Sequence, residues 1–232
     1  MIRRHFSRVA LALAVVGSWS SLSWAGPLDA ITNAEANAGL KAALDRGALA
    51  AVSQLGASGG FLNNPKIKIP LPSALQALEP ILKATGKSDQ LNSLVTTMNQ
   101  AAEQAMPEAK ALLQSAVKSM TLEDAKGILS GGDDSVTQFF KAKTKPALIE
   151  RFQPIVGKQV SKLGLAQQYD RLASQGLKLG VVNKESASME TYVTGKALDG
   201  LYLVIAEQER AIRADPIGTG VKAISKVFGI LK

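Results

Sequence analysis

Apolar residues recur at three- and four-residue spacing through most of the chain, most strongly between Ser188 and Pro216. On a helix of 100° per residue, one arc of about 140° is apolar. It holds Val193, Ala197, Leu198, Leu201, Val204, Ile205 and Ile212. The opposite arc holds Tyr192, Lys196, Asp199, Leu203, Glu207 and Arg210. On that arc Lys196 and Asp199, and likewise Glu207 and Arg210, have the three-residue spacing of helical ion pairs. The pattern predicts a central helix near 188–214 with one buried face.

The same spacing predicts further helices on both sides of the interruption at Pro107. They cover residues 37–55, 73–85, 88–105, 108–120, 134–143, 146–163 and 165–175. Thr121 begins another short helix, because a threonine followed by two acids in the first turn is typical of a capping box. Pro154 should kink or split the helix that contains it. We therefore expect an all-α fold, a single compact domain of about 8–10 helices over residues 37–232.

Residues 61–72, here called the strap, interrupt the helical pattern with three prolines. Proline holds the preceding residue extended, so the strap should not be helical. Its Lys66-Ile67-Lys68-Ile69 alternation puts two isoleucines on one side and two lysines on the other. This pattern fits either a cover whose lysines meet an anionic ligand or an extended connector with solvated lysines. Residues 177–182 are also strand-like, and their pairing with Lys66–Ile69 would give a short two-stranded β element.

The first 25 residues are typical of a cleaved signal peptide. Three arginines precede the apolar stretch Val9–Trp19, and Ser23-Trp24-Ala25 offers small residues at positions −3 and −1 of a cleavage site. Eleven apolar residues are too few for the ~20 of a membrane-spanning helix. We expect a periplasmic or secreted protein, exported by the general secretory route in preference to the twin-arginine route. Residues 26–36 would form a flexible mature N-terminus.

Loss of a signal peptide would change the chemical inventory of the chain. The chain has no cysteine, and its one histidine and two tryptophans all lie in the first 25 residues. A mature protein without imidazole or thiol lacks the groups of Ser-His-Asp and Cys-His catalysis and the usual zinc ligands. We therefore expect no cofactor, and an enzyme is the less favoured class. Any catalysis would rest on carboxylates, lysine, tyrosine or hydroxyls.

The charge balance gives little support for a nucleic-acid partner. Three of the 27 basic residues lie in the predicted signal peptide, which leaves 24 against 19 acidic residues, a net charge of +5. Only residues 139–145, Phe-Phe-Lys-Ala-Lys-Thr-Lys, combine basic and aromatic side chains. We interpret this run as the solvated last turn of a helix. No nucleic-acid partner is expected, and the pattern predicts no particular oligomeric state.

Two acidic residues in the Gly131–Ser135 segment are weak candidates for a metal site. Asp133 and Asp134 follow two glycines, and adjacent carboxylates suit a hard cation such as calcium. A calcium loop normally spreads acids over alternate positions and adds a distant glutamate, and this series is missing here. The favoured interpretation is that Asp133 caps the following helix.

The C-terminal residues 217–231 form a basic amphipathic stretch. Their apolar stripe holds Ile217, Val221, Ile224, Phe228 and Leu231. Such a stretch either packs on the body as a last helix or lies on a membrane surface or an envelope protein.

Three stretches of the chain resemble one known protein family. They are residues 60–72 (GFLNNPKIKIPLP), residues 129–133 with 137–140 (LSGGD and TQFF), and residues 196–201 with 205–207 (KALDGL and IAE). Together they resemble a family of exported bacterial proteins catalogued as domain of unknown function 4197. The resemblance covers roughly residues 40–229. It implies one secreted helical domain and, because the family has no established activity, no catalytic residue.

Three functions are compatible with these features. The first is a non-enzymatic exported protein that holds a lipid or small apolar or anionic amphiphile between helices under the strap. The second is an envelope interaction module that uses the strap or residues 217–231. The third is a carboxylate-based or cation-dependent hydrolase. The candidate ligand-binding residues are Asn63, Asn64, Lys66, Lys68, Tyr192, Lys196, Asp199 and Glu207.

The polar arc of the central helix also allows two interpretations. Its charged residues either lock the helix to its neighbours as ion pairs or form a ligand site. Gly195 and Gly200 flank this arc and would let another segment approach closely. We predict that the strap packs against the helix there.

Overall fold

The computed structural model describes residues 33–178 and 183–215, and these are mostly helical. The α-helices are α1 Asn33–Gly56, α2 Ser73–Ala84, α3 Ser88–Ala105, α4 Pro107–Lys118, α5 Leu122–Ser130, α6 Ser135–Val160, α7 Gly164–Lys178 and α8 Met189–Ala214. A single 3-10 turn, Lys184–Ser186, precedes α8. The predicted all-α class is confirmed. The predicted signal peptide and the amphipathic stretch 217–231 lie outside the described residues.

Helices α6 and α8, each of 26 residues, pack against one another at the centre of the fold. Helices α3 and α4 pack on α6, while α1 packs on both α4 and α8. The buried apolar side chains form one continuous core, whose largest fully buried members include Phe61, Phe140 and Phe152. None of the helices in the described ranges is long and apolar enough to cross a membrane.

The central helix α8 matches its predicted pattern closely. Every residue of the predicted apolar arc is buried except Ile212, which is partly buried. The helix begins after Ser188, whose side chain accepts a hydrogen bond from the backbone N–H of Thr191. The predicted Lys196–Asp199 ion pair is present at 3.9 Å. Glu207, however, pairs with Lys66 of the strap at 2.6 Å instead of the predicted Arg210.

Helix α6 is longer than predicted, because it continues through Pro146 and Pro154 without a break. An interior proline removes a hydrogen bond and usually costs about 3 kcal/mol. Both prolines are exposed, and so are Ala142 and Glu150, whose carbonyls lose their helical donors and face water instead. The opposite face buries aromatic and branched side chains over the whole length of α6. This burial holds the two predicted helices together as one.

A buried carboxylate caps the N-terminus of α6, so the predicted capping role of Asp133 is wrong. Asp134 occupies the N-cap position without a side-chain hydrogen bond to the backbone. The free N–H groups of Val136 and Thr137 donate instead to Glu209 of α8, at 3.1 and 3.2 Å. Arg213 also bonds Glu209, which offsets its buried charge. By contrast, the predicted capping box of Thr121 and Asp124 at the start of α5 is confirmed.

The strap is non-helical, as predicted, but it is not a strand. Residues 65–67 form turns in which the backbone N–H groups of Ile67 and Lys68 donate to the carbonyl of Asn64, at 3.2 and 2.8 Å. Leu177 and Lys178 belong to α7, and residues 179–182 lie outside the described part. The expected two-stranded β element is therefore wrong for residues 66–69, because their backbone groups bond within the turn and to side chains of the body.

Candidate functional site

The strap covers one region of the surface of α8, around Gly200. A Cβ atom added to Gly200 would lie 2.6 Å from Cε1 of Phe61 and 3.5 Å from Cβ of Ile67. Phe61 and Ile69 are fully buried, and Ile67 nearly so. The predicted packing of the strap is therefore confirmed at Gly200. At Gly195 it is wrong, because a Cβ there would meet no atom of the strap or of any other described segment within 4 Å.

Two buried polar side chains of α3 fasten the strap. The carboxylate of Glu103 accepts hydrogen bonds from the backbone N–H groups of Gly59, Phe61 and Leu62, at 3.0–3.1 Å. The side chain of Asn99 pairs with both backbone groups of Ile69, accepting at 2.8 Å and donating at 3.0 Å. These bonds satisfy the backbone of a segment that has no regular partner. The strap is thus an integral part of the fold.

The space beneath the strap is filled by the strap's own side chains. Because its apolar residues are buried in the core, they form neither the roof of a ligand site nor an exposed apolar surface for a partner. Lys66 meets Glu207 in an exposed ion pair. The described residues thus give no support to an amphiphile held under the strap or to an interaction surface on its apolar side. Residues 217–231, the other predicted interaction surface, are not described.

The remaining strap candidates are exposed or shape the turn. Asn63 is exposed, and its side chain lies beside Gly59. The side-chain oxygen of Asn64 accepts a hydrogen bond from the backbone N–H of Lys66 at 3.1 Å. Lys68 is exposed at the edge of a shallow depression between the strap, α2 and α3. None of the three converges with Lys196 or its neighbours.

The two metal candidates, Asp133 and Asp134, are exposed on the turn before α6. Asp134 accepts a hydrogen bond from the side chain of Gln138, one turn into the helix. Within residues 33–178 and 183–215, no three acidic, histidine or cysteine side chains are grouped as metal ligands would be. The candidate carboxylates also do not meet in one cleft, because Asp199 lies in a groove of α8 and Glu207 pairs with the strap.

A groove between α6, the 3-10 turn and α8 brings three of the predicted residues together. These are Tyr192, Lys196 and Asp199, which line a cavity of about 440 Å³. The sequence analysis missed the rest of the lining. It comprises Lys145, Ile149, Gln153, Asn183, Ser186, Thr191, Thr194, Gly195 and Leu198.

The shared helical face of the α6 residues in the groove could have been predicted from the sequence. Lys145, Ile149 and Gln153 follow each other at four-residue spacing, which puts them on one helical face. The basic run that contains Lys145 was interpreted as the end of a helix, whereas it lies in the middle of α6. Periodicity also does not say which face of α6 turns toward α8.

The charged residues of the groove favour an anion. Lys145 comes from α6 and Lys196 from α8, while Asp199 is the one acid among the lining residues that the structure describes. The side chain of Asp199 is 68% exposed and its carboxylate is 3.9 Å from the Lys196 ammonium, so it neutralises Lys196 weakly. Ile149 and Leu198 add apolar surface between the charges.

Tyr192 joins the groove to the strap. It lines the groove, and its hydroxyl donates to the carbonyl of Pro70 at 3.1 Å. Burial raises the pKa of Tyr192 above its ordinary value, and the neighbouring Tyr169 adds to this shift. A phenol that is kept protonated and donates to a backbone carbonyl is poorly suited to act as a base or nucleophile.

Thr194 carries an unusual feature for a core residue. It lines the groove and is 2% exposed, and its Oγ1 has no hydrogen-bond partner within the described part of the chain. In contrast, the buried hydroxyl of Thr144 bonds the carbonyl of Phe140 at 2.6 Å and the hydroxyl of Tyr202 at 3.1 Å. A buried polar atom without a partner costs about 1–3 kcal/mol.

Comparison with known proteins gives one positive result. The model of a family described as "Protein of unknown function (DUF4197)" matches residues 30–229, which is most of the chain. Neither the curated proteins nor the solved structures contain a significant match to the sequence.

Proposed function

We propose that this chain, which belongs to the DUF4197 family of proteins of unknown function, binds a small organic anion in the groove between α6 and α8. The observation that carries the proposal is the convergence of Lys145 and Lys196 from two helices on one groove with apolar surface. A volume of about 440 Å³ lies within the ~300–1,000 Å³ typical of small-molecule sites. The predicted signal peptide suggests that binding takes place outside the cytoplasm.

The lining supports a ligand with an anionic group and an apolar part. Two ammonium groups against one exposed carboxylate leave a net positive charge in the groove. Lysine ammonium groups supply charge-assisted hydrogen bonds to carboxylate, sulfonate or phosphate oxygens. Ile149 and Leu198 offer the apolar contact.

Binding is better supported than catalysis. The one tyrosine of the lining has a raised pKa and is engaged with the strap. Asp199 is the one carboxylate among the described lining residues, so these residues do not supply the carboxylate pair of an acid–base hydrolase. We therefore propose a non-enzymatic binding protein.

The test is a binding measurement with defined probes. The fluorescence of 8-anilinonaphthalene-1-sulfonate, an apolar sulfonate, is followed as the folded protein is added, and the dye is then displaced by octanoate or by 1-octanol. We expect octanoate to displace the dye at a much lower concentration than the uncharged alcohol. Native mass spectrometry of protein purified from its own host would identify the natural ligand.

Matched lysine variants locate the site. Lys145→Met and Lys196→Met should each weaken octanoate binding about tenfold or more, because each removes a charge-assisted contact. Lys68→Met makes the same chemical change on the exposed side of the strap and should leave binding unchanged. The proposal fails when native protein that circular dichroism shows to be folded does not bind octanoate in preference to 1-octanol. It also fails when Lys68→Met weakens binding as much as Lys196→Met.

A further inference from the structure

We propose that Gly195 determines the specificity of the groove, by leaving room for an anion that is bulky next to its charged group, such as an aromatic carboxylate. The inference rests on the proposed function and adds the class of ligand. It predicts that the apolar body of the ligand lies directly against the backbone of α8 at Gly195.

The position of Gly195 in the helix places it at the centre of the α8 wall. Residues three and four positions away on a helix share its face. Thr191, Tyr192, Leu198 and Asp199 have these spacings from Gly195, and all four line the groove. Lys196 directly follows Gly195, so a ligand whose anionic group meets this lysine brings its adjacent atoms over the glycine.

Gly195 has no evident structural reason to be a glycine. Glycine is among the poorest residues for a helix interior. Gly200, in the same helix, is explained by a close neighbour, because a Cβ there would lie 2.6 Å from Cε1 of Phe61. At Gly195, by contrast, a Cβ would meet no atom of the described residues within 4 Å. The sequence thus keeps a helix-weakening residue where the described part of the chain leaves the space open.

The neighbouring Thr194 points the same way. Its buried hydroxyl lacks a partner in the described part of the chain, and it lines the groove beside Gly195. Two adjacent residues of α8 thus each lower the stability of the free protein without a compensating contact from the described residues. Features that reduce stability in this way are expected at functional sites.

The test combines stability and selectivity in Gly195→Ala, with Gly127→Ala as the matched control. Gly127 also lies within a helix and faces open space, but it is in α5, which contributes nothing to the groove lining. Both variants should raise the melting temperature of the free protein by about 2–4 °C, through better helix propensity. Only Gly195→Ala should weaken the binding of 1-naphthoate, about tenfold or more, with a smaller loss for straight-chain octanoate.

The outcomes separate this inference from the proposed function. A lower melting temperature for Gly195→Ala overturns the inference, because it means that protein atoms already fill the space. The inference is also overturned when Gly195→Ala leaves the selectivity between 1-naphthoate and octanoate unchanged. If Lys196→Met nevertheless binds these anions poorly, the proposed function stands. A native protein that binds neither anion overturns both.

Discussion

Two regions of one helix, five residues apart, are built in opposite ways. At Gly200 the strap packs so closely that no Cβ would fit, and the strap's buried polar contacts are made by Glu103 and Asn99. At Gly195, within residues 33–178 and 183–215, the surface is open, a neighbouring hydroxyl is unpaired and two lysines line one groove. The first region uses its residues for stability. The second region lowers the folding stability, which proteins tolerate at functional sites.

Tyr192 marks the boundary between these regions. Its hydroxyl holds the strap at Pro70, while its side chain lines the groove. The strap therefore serves the groove indirectly, because it fixes one of the groove's walls. Changes on the strap side should act mainly on folding stability, and changes on the groove side should act on binding with little or opposite effect on stability.

The largest effect is expected at the strap. Phe61→Ala should lower the free energy of unfolding by about 3–5 kcal/mol, because it removes a fully buried aromatic ring and leaves a cavity against Gly200. Urea unfolding followed by circular dichroism measures this loss. Leu203→Ala, in α8, truncates a side chain that is 38% exposed; it is the control and should change stability by less than about 1 kcal/mol. Equal losses in the two variants would mean that the strap is not part of the core.

Gly200→Ala tests the close packing from the opposite side. The added methyl group would overlap Phe61, and overpacking of this kind typically costs about 1–3 kcal/mol. The same change at Gly195 is expected to stabilise the free protein, so the two substitutions should differ in sign. Differential scanning calorimetry of both variants gives the comparison directly. Stabilisation by Gly200→Ala would contradict the packing at this position.

The sequence pattern allows most of this architecture to be predicted, because helical periodicity is a local signal. Helix α3 has the predicted bounds, since Gly86 precedes it and Pro107 follows it. The buried and exposed arcs of α8 are also as predicted. The unbroken course of α6 was not predictable from local rules, because it depends on which side of the helix its two prolines face once the core has formed.

The contacts that the sequence did not predict connect distant parts of the chain. Glu209 accepts a hydrogen bond from Val136, 73 residues earlier in the first turn of α6, and Glu103 binds the backbone of Phe61 in the strap, 42 residues away. A glutamate within an amphipathic helix carries no local sign of such a role. For the same reason only the α8 side of the groove was predicted. The spacing of Tyr192, Lys196 and Asp199 indicates a shared face of α8, whereas Lys145 joins them only through the packing of α6 on α8.

Substitutions at two buried threonines compare a hydrogen-bonded hydroxyl with one that has no hydrogen-bond partner in the described part of the chain. Thr144→Val should cost about 1–2 kcal/mol, because it leaves the buried hydroxyl of Tyr202 without its partner. Thr194→Val removes a hydroxyl without a partner among the described residues and should raise the free energy of unfolding by up to about 1 kcal/mol. Chemical denaturation of both variants measures the change in the free energy of unfolding, which should have opposite signs in the two proteins. A loss of stability in Thr194→Val would mean that a bound water or another group satisfies this hydroxyl in solution.

The smallest effect concerns Glu190, at the start of α8. Its carboxylate lies over Gly157 of α6, and burial, aided by the negative charge of Asp170, raises its pKa above the ordinary value of 4.5. The folded state thus binds this proton more tightly than the unfolded state, so the contribution of Glu190 to stability falls as the pH rises above about 4.5.

Glu190→Gln should therefore be more stable than the native protein at pH 7, by less than about 1 kcal/mol for a partly exposed group. The difference should disappear below the ordinary pKa, where the native side chain is protonated in both states. Urea unfolding of both proteins between pH 3 and 8 measures this difference in the free energy of unfolding. Subtracting one curve from the other removes the titration of the other carboxylates.

Glu190 thus differs from Glu103, whose carboxylate accepts three backbone hydrogen bonds at the strap. Glu103→Gln should destabilise the protein at pH 7, since a neutral amide is a weaker acceptor for those three donors. The same sign for both glutamine substitutions would contradict the different roles given to these two carboxylates.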